Sequence, residues 1–478
     1  MRPGEKSPRG HALQVSTTAA LIPGEDKADD SQPEQRTHLK WDTGRTTERT
    51  DLMEETRTVR KIAFVGDHIP RKCGIATFTS DLLGAIASTH PSSECRAVSV
   101  TDLQGEYEYP DVVRFEIDEQ DERSYAEAAH FLNDSEVEVV CVQHEFGIYG
   151  GAAGAHLLNL MALLEAPIVT TLHTVLRQPN TDQRRVMMEI IDRSARLVVM
   201  SERGQGILQE TYNAPRAKID LIPHGIPDVP FVEPDCCKGQ FGLSGRRVLL
   251  TFGLLSPNKG IETVIKALPE IAAEFPDVVY VVLGATHPNE LRTRGDAYRH
   301  QLEALVKQSG VESNVLFSNR FVPLQELTEY IGAADLYITP YLEEAQITSG
   351  TLAYAFGAGK AVISTPYWHA AELLKDQRGV LVPFGDPMAI AREAKDLLRN
   401  GSRWNAMRRR AYGLGREMIW SSTARRYMQS FLLAQRPAMK AMYAVAHGSG
   451  ADVREQGMPR FNREPLWQET DAARADRW

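Results

Sequence analysis

The sequence predicts an α/β protein built from two doubly wound domains with a cleft between them, and three observations carry that prediction. Short apolar runs of strand length alternate with stretches of helical spacing, the arrangement expected of parallel sheets covered on both faces. The alternation breaks once, between Pro227 and Gly245, in sequence rich in Pro, Gly and Cys. It restarts from a fresh apolar strand at Arg247, so the chain reads as two similar halves joined by one linker.

The chain opens with a polar tail, expected over 1–59, whose Pro, Gly, Thr, Asp, Glu and Arg leave too few periodic apolar positions to offset ordering entropy. The first domain is expected over 60–230. Lys61–Gly66 is a short apolar run ending in Gly, suited to a buried strand, and Thr77–Ser88 carries Phe78, Leu82, Leu83 and Ile86 on one helical face. Strands follow at Arg96–Val100, Val137–Val142, Ile168–Leu172, Leu197–Met200 and Ile219–Ile222, with helices at Ala155–Leu164 and Arg184–Ser194. The second domain is expected over 245–405. Its strands are Arg247–Phe252, Val278–Leu283, Val315–Phe317, Leu336–Ile338, Ala361–Ser364 and Gly379–Val382. Its helices are Ile261–Phe275, Gly295–Ser309, Leu324–Ala333, Gly350–Gly357 and Pro387–Leu398. A last helix, Arg425–Ala434 within 415–435, is expected to complete the first domain, and 437–478 to form a loose tail.

Composition excludes several other classes. Of 478 residues, 42% are hydrophobic and 24% charged, which rules out collagen-like, disulfide-scaffold and globally disordered chains. Lys and Arg number 54 against 63 Asp and Glu, a net charge of −9 that offers no general attraction for nucleic acid. The five cysteines, Cys73, Cys95, Cys141, Cys236 and Cys237, lack zinc-type spacing and read as free thiols in a reducing compartment. The start of the chain does not read as an export signal, and there is no apolar run of the ~20 residues a spanning helix needs. A cytoplasmic location is therefore expected, with contact at a membrane surface left open.

In open α/β sheets ligands bind outside the carboxyl ends of the strands, so the loops there carry the chemistry. The first, Gly66-Asp-His-Ile-Pro-Arg-Lys-Cys-Gly-Ile-Ala-Thr77, enters a helix whose free amides favour an anion, with Gly74 allowing close approach; an ordinary tight turn is the alternative. His173 ends the strand Ile168–Leu172, and His144 and Glu145 end another, as polar outlets toward the cleft. In the second half Phe252-Gly-Leu-Leu-Ser-Pro-Asn-Lys-Gly260 places Lys259 as a compact positive charge before a helix, suited to a phosphate or diphosphate. The stretch from Pro340 to Ser364 is the most informative. There Thr348 or Ser349 can cap a small-residue helix, and Thr348, Ser349 and Gly350 form a candidate diphosphate cradle.

Taken in order, these residues resemble the retaining glycosyltransferases of family 4, which have the GT-B fold of two facing Rossmann-like domains. The resemblance covers about Arg60–Ala434. It is carried by the first glycine loop, Thr171-Leu-His-Thr174, Ile222-Pro-His-Gly225, Phe252–Gly260, Ala333-Ala-Asp-Leu-Tyr-Ile-Thr-Pro340 and Gly357-Ala-Gly-Lys-Ala-Val362. It implies transfer of a hexose from a nucleotide-diphosphate sugar to a carbohydrate or glycoconjugate acceptor hydroxyl, with retention, as in polysaccharide synthesis. His173, Lys259 and Gln346 match catalytic positions. Gly74, Asn258, Arg320, Thr348, Ser349, Gly350 and Tyr354 fall on the donor side, and His144 and Glu145 on the acceptor side. The resemblance implies no metal and no cofactor beyond the sugar nucleotide as co-substrate, because lysine and helix amides neutralise the leaving diphosphate.

Two departures stand out. Leu254 occupies the place of a family arginine, for which Arg320 is a candidate replacement. The paired family glutamates map onto Gln346 and Tyr354, the first near the donor sugar and the second on the ribose, with Glu343 and Glu344 as candidate sources of the displaced charge. These changes motivate one alternative, a catalytically silent GT-B protein that binds a nucleotide sugar or a protein partner. A nicotinamide dehydrogenase would suit the doubly wound pattern, but no G-x-G-x-x-G follows either leading strand.

Overall fold

The structure, a computed structural model, describes residues 58–446. The polar tail expected over 1–59 therefore falls outside the described residues except for its last two. Of these, Val59 is fully buried in a core cluster with Phe64 and Phe431. The loose tail expected from 437 is helical as far as Ala446, and the rest of it lies outside the described residues.

The first half holds strands β1 (Lys61–Gly66), β2 (Glu94–Thr101), β3 (Val113–Asp118), β4 (Val139–His144), β5 (Ile168–Leu172), β6 (Arg196–Val199) and β7 (Ile219–Leu221). Its helices are α1 (Gly74–Thr89), α2 (Glu122–Asp134), α3 (Leu157–Leu163), α4 (Thr181–Arg193) and α5 (Glu202–Tyr212). The seven strands form one sheet in the order β3-β2-β1-β4-β5-β6-β7, and every pairing is parallel. The second half follows a connecting segment that contains the short helix α6 (Asp235–Lys238). Its strands are β8 (Arg247–Phe252), β9 (Val278–Leu283), β10 (Val315–Ser318), β11 (Leu336–Thr339), β12 (Ala361–Ser364) and β13 (Val380–Leu381), in a six-stranded parallel sheet of order β10-β9-β8-β11-β12-β13. The remaining helices are α7 (Ile261–Ala272), α8 (Pro288–Arg294), α9 (Ala297–Gln308), α10 (Leu324–Ala333), α11 (Gly350–Gly357), α12 (Trp368–Leu373), α13 (Pro387–Arg399), α14 (Gly401–Gly415) and α15 (Trp420–Ala446).

Both sheets reverse direction beside their first strand, at β1/β4 and at β8/β11, and such switch points open a crevice at the carboxyl ends. The central strands β4, β5, β9 and β11 are buried at every residue because helices cover both faces, and β4 turns polar only at its carboxyl end, at Gln143 and His144. The last helix returns to the first sheet. Ala424, Tyr427, Met428 and Phe431 of α15 join Ile62, Phe64, Val139 and Val169 in one cluster, and the Tyr427 hydroxyl is 3.0 Å from Thr171 Oγ1. The outgoing and returning segments are paired: Ile226 N–H donates to Met418 O and Trp420 N–H to Ile226 O, each at 2.9 Å.

Several elements depart from the sequence reading. β3 was not anticipated, since this edge strand alternates partly buried and exposed residues, with only Ile117 fully buried, instead of forming an apolar run. Helices α2, α5, α12 and α14 were likewise unread; α5 carries two glycines and α12 is a single six-residue segment. The helix expected over Gly295–Ser309 begins at Ala297, because Gly295 at φ +58° terminates the separate helix α8. All five cysteines are free thiols.

Candidate active site

The loop leaving β8 is shaped by a close approach. Gly260 has φ +62°, and a Cβ there would lie 2.1 Å from Pro340 O, so only glycine lets this loop dock on the one leaving β11. That docking brings Lys259 onto Tyr341. The ammonium donates to the Tyr341 hydroxyl at 2.8 Å and stands 4.0 Å from the ring centroid. Burial alone would raise the Tyr341 phenol; the charge and hydrogen bond of Lys259 outweigh it and hold the phenol below its ordinary range. The chain continues from the Tyr341 hydroxyl to Thr351 Oγ1 at 2.9 Å and on to Ser349 Oγ at 3.2 Å. Lys259 is thereby joined to the first turn of α11.

Ser349 caps α11, accepting the amide of Leu352 at 3.3 Å. Its own amide is engaged, donating to His369 Nδ1 at 3.0 Å, so the expected cradle of Thr348, Ser349 and Gly350 amides is not fully open. The amides of Gly350 and Thr351 have no partner among the described residues, and Thr348 Oγ1 is buried without a hydrogen bond. Gly350 is sterically required, because a Cβ would meet His224 Nε2 at 2.9 Å. Gln346 folds over the same turn, with its side-chain amide donating to Thr348 O at 2.7 Å and its backbone carbonyl accepting the His369 backbone amide at 3.1 Å. Asn258 contributes its backbone carbonyl, which accepts from Leu342 N at 3.0 Å.

From the first half come His173, His144 and Glu145. His173 Nε2 is 3.0 Å from Gln143 Oε1, an acceptor, so the ring proton sits on Nε2. Burial, with His224 and His144 nearby, pushes the His173 pKa down to about 3. Burial likewise lowers His144 to about 3, His224 to about 4 and His369 to about 3, which leaves four neutral imidazoles around the cleft at neutral pH. Phe78 of α1 packs edge-on against His173 at 4.8 Å and His224 at 5.0 Å. His144 is fully buried and both ring nitrogens lack partners, while Glu145 is engaged by the Phe146 amide and the Thr174 hydroxyl.

The first glycine loop is built on a buried ion pair. Arg71 Nη1 donates to Asp67 Oδ1 at 2.9 Å, Cys73 Sγ donates to Asp67 Oδ2 at 3.0 Å, and Cys73 Sγ in turn accepts the Ala76 amide that opens α1. Burial raises Asp67 to about 7 despite Arg71. Gly74 is exposed, and a Cβ there would meet nothing within 4 Å.

Two positions do not sit as expected. Arg320 is engaged at the surface by both carboxylate oxygens of Glu326, its side chain 53% exposed, so its guanidinium is already committed rather than free to replace the missing arginine. The Tyr354 hydroxyl donates across the cleft to Asp81 Oδ2 of α1 at 2.7 Å, which commits it to the opposite half rather than leaving it open for a ribose. Glu343 and Glu344 are exposed. Residues that sequence reasoning left unassigned complete the site: Tyr341, Thr351, His369, Gln143 and Asp81. His224 also belongs to it and had a signal in Ile222-Pro-His-Gly225, and Tyr341 and Thr351 lie within the Pro340–Ser364 stretch, whereas His369, Gln143 and Asp81 had no signal.

Further polar contacts join the halves. Arg292 Nη1 lies 3.4 Å from Asp102 Oδ2, the carboxylate of Glu372 accepts the amides of Glu202 and Arg203 at 2.8 and 3.2 Å, and Arg203 stacks 5.0 Å from the Trp368 ring centroid. Among the described residues no group of three or more His, Cys, Asp or Glu is arranged to hold a metal ion, and no helix is long and apolar enough to cross a membrane.

Comparison with known proteins places this geometry among sugar transferases. The family described as "Glycosyl transferases group 1" matches residues 246–400, and that described as "Glycosyltransferase Family 4" matches residues 112–228. The GDP-mannose-dependent alpha-(1-6)-phosphatidylinositol monomannoside mannosyltransferase of Mycolicibacterium smegmatis is 27% identical over 203 residues, 40% of this chain and 50% of that protein. The D-inositol 3-phosphate glycosyltransferase of Segniliparus rotundus is 27% identical over 300 residues, 59% of this chain and 64% of that protein. The chain thus spans between half and two thirds of these relatives. Among solved structures, Anabaena HepE in complex with UDP superposes with TM-score 0.60 at 16% identity, covering 80% of this chain and 100% of that one. Sucrose-phosphate synthase of Thermosynechococcus elongatus gives TM-score 0.63 at 17% identity, covering 81% and 100%. These structural likenesses show the GT-B fold.

Proposed function

Because the chain belongs to the group 1 glycosyltransferases, we propose that it moves a hexose from a nucleotide-diphosphate sugar to an acceptor hydroxyl with retention of configuration, in glycoconjugate or polysaccharide synthesis. The observation that carries this reading is the hydrogen-bonded chain from Lys259 through Tyr341 and Thr351 to Ser349 at the start of α11. It sets a cation beside two open helix amides, an arrangement suited to a diphosphate that gains charge as the sugar departs. Lys259 and the amides of Gly350 and Thr351 stabilise that charge. His173, neutral with its proton directed at Gln143, orients sugar hydroxyls through Nδ1 and does not act as a general acid. Gln346, at the family's sugar-facing position, offers Oε1 to the donor. Retention follows from attack on the face the diphosphate leaves, with a diphosphate oxygen taking the acceptor's proton. This scheme assigns no step to a metal ion.

One relative is named for a GDP-mannose donor and a phosphatidylinositol monomannoside acceptor and the other for D-inositol 3-phosphate, so GDP-mannose and inositol-bearing acceptors are the first substrates to test, with UDP-hexoses as alternative donors. Their names are those of transferases, which favours the enzyme over the silent binding protein. Lys259→Ala is expected to lower transfer by roughly a hundredfold to a thousandfold while leaving the thermal midpoint within a few degrees. Wild-type turnover in that variant would refute the assignment. The anomeric configuration of the product, read by NMR, decides retention.

A further inference from the structure

The short helix α12 touches both the donor-side turn and the opposite half, and we infer that Glu372 is a positioning residue that couples closure of the cleft to alignment of that turn. The inference rests on the transferase reading above for what the aligned turn does.

The contacts define a single connected path. At one end of α12, Trp368 N–H donates to Glu344 O at 3.0 Å and His369 N–H to Gln346 O at 3.1 Å, so the helix begins on the loop that carries Gln346. His369 Nδ1 accepts the Ser349 amide at 3.0 Å, which fixes the residue that caps α11. At the other end, the Glu372 carboxylate accepts the amides of Glu202 and Arg203, the first two residues of α5 in the first half. A helix start carries unpaired N–H groups and a partial positive charge, so a carboxylate supplied by the other half is a favourable trans-cap. Trp368 adds a second grip, under the Arg203 guanidinium at 5.0 Å. Opening the cleft removes both grips at once. The α5 start then keeps Ser201, whose hydroxyl accepts the Gly204 amide at 3.1 Å, so the first half retains a capped helix when the halves part. The contact therefore rewards closure without being needed to fold either half, as a positioning device requires.

The prediction distinguishes coupling from a merely local cap. In the full chain, hydrogen exchange at the Glu202, Arg203 and Ser349 amides reports the two ends of α12 directly. Glu372→Ala is expected to speed exchange at all three amides and to lower kcat, with donor KM changing less. The closed-to-open ratio falls by roughly three- to thirtyfold, the range for losing a helix cap. Glu372→Gln, which keeps one acceptor oxygen and the side-chain shape, is expected to recover part of both effects. His369→Phe, which cuts the path at its other end, is expected to speed exchange at Ser349 and, less strongly, at Glu202 and Arg203. Faster exchange at Glu202 and Arg203 with Ser349 and kcat unchanged in Glu372→Ala would overturn the coupling. An absence of turnover by the wild type across UDP- and GDP-hexoses would overturn the transferase reading, while the exchange pattern would still decide the link through α12.

Discussion

Four imidazoles held neutral in the cleft make acid sensitivity a property of single residues. His144, His173, His224 and His369 have pKa values lowered by burial to between about 3 and about 4, against an ordinary 6.5. As pH falls through 6.5 the unfolded chain takes up these protons and the folded chain does not, so stability falls with acidification until the folded pKa values are reached. Asp67 acts in the opposite sense. Its folded pKa of about 7 exceeds the usual 3.8, so its contribution is complete below 3.8 and is lost as pH rises through 7. Glu145, Glu372 and Asp81, also raised by burial, oppose the histidines in the same way. His144 isolates one term, since it has no hydrogen bond to lose and packs against Phe146 and Tyr149. His144→Phe is expected to change stability at pH 7 by less than about 1 kcal/mol and to flatten the pH dependence between pH 4.5 and 6 by about one proton, or ~1.4 kcal/mol per pH unit. Urea titrations at several pH values measure both, and an unchanged slope would mean that His144 is not the buried neutral group described.

Among the elements, α11 joins stability to function most directly. Ser349→Ala removes its N-cap at a cost of roughly 1 kcal/mol and takes away the last member of the hydroxyl chain that begins at Lys259. Gly350→Ala meets His224, whose Nδ1 is held 2.7 Å from Gly225 O, so its ring cannot yield without breaking that contact. Transfer is therefore expected to suffer more in Gly350→Ala than in Ser349→Ala, although alanine is the better helix former; steady-state kinetics beside thermal melts would show the reversal. This helix was legible in the sequence to the residue, as were β8, β9, α10 and β12, because buried parallel strands are continuous apolar runs and small-residue helices have sharp ends. β3 was not, because its outer position alternates exposure, and α12 was not, because six residues show no period. The same physics divides the site. Lys259, Ser349 and Gly350 lie in loops that strand ends announce. Tyr341 lies 82 residues from Lys259 and Asp81 lies 273 from Tyr354, and only the fold reveals those partners.

At the scale of the whole molecule, the two halves are joined where Ile226 pairs with Met418 and Trp420, and they meet across the cleft through Tyr354 and Asp81. The resemblance maps a family glutamate onto Tyr354, whose phenol here donates to a carboxylate of the opposite half. Burial raises the Asp81 carboxyl and the Tyr354 hydrogen bond draws it back, which makes the phenol the group that tolerates an ionised Asp81 in the closed cleft. Tyr354→Phe removes the donor and is expected to expand the molecule, read as a larger radius of gyration by X-ray scattering, and to reduce turnover severalfold. Restoring the family residue gives the sharper test. In Tyr354→Glu two carboxylates face each other, and like charges at hydrogen-bond distance force one to hold its proton. Above the raised pKa both ionise and repel, opening the cleft; below it a shared proton rebuilds the contact. The activity of Tyr354→Glu relative to wild type is therefore expected to rise as pH falls from 8 to 6, with the radius of gyration contracting in step. A ratio independent of pH would mean that the two halves do not close on this pair.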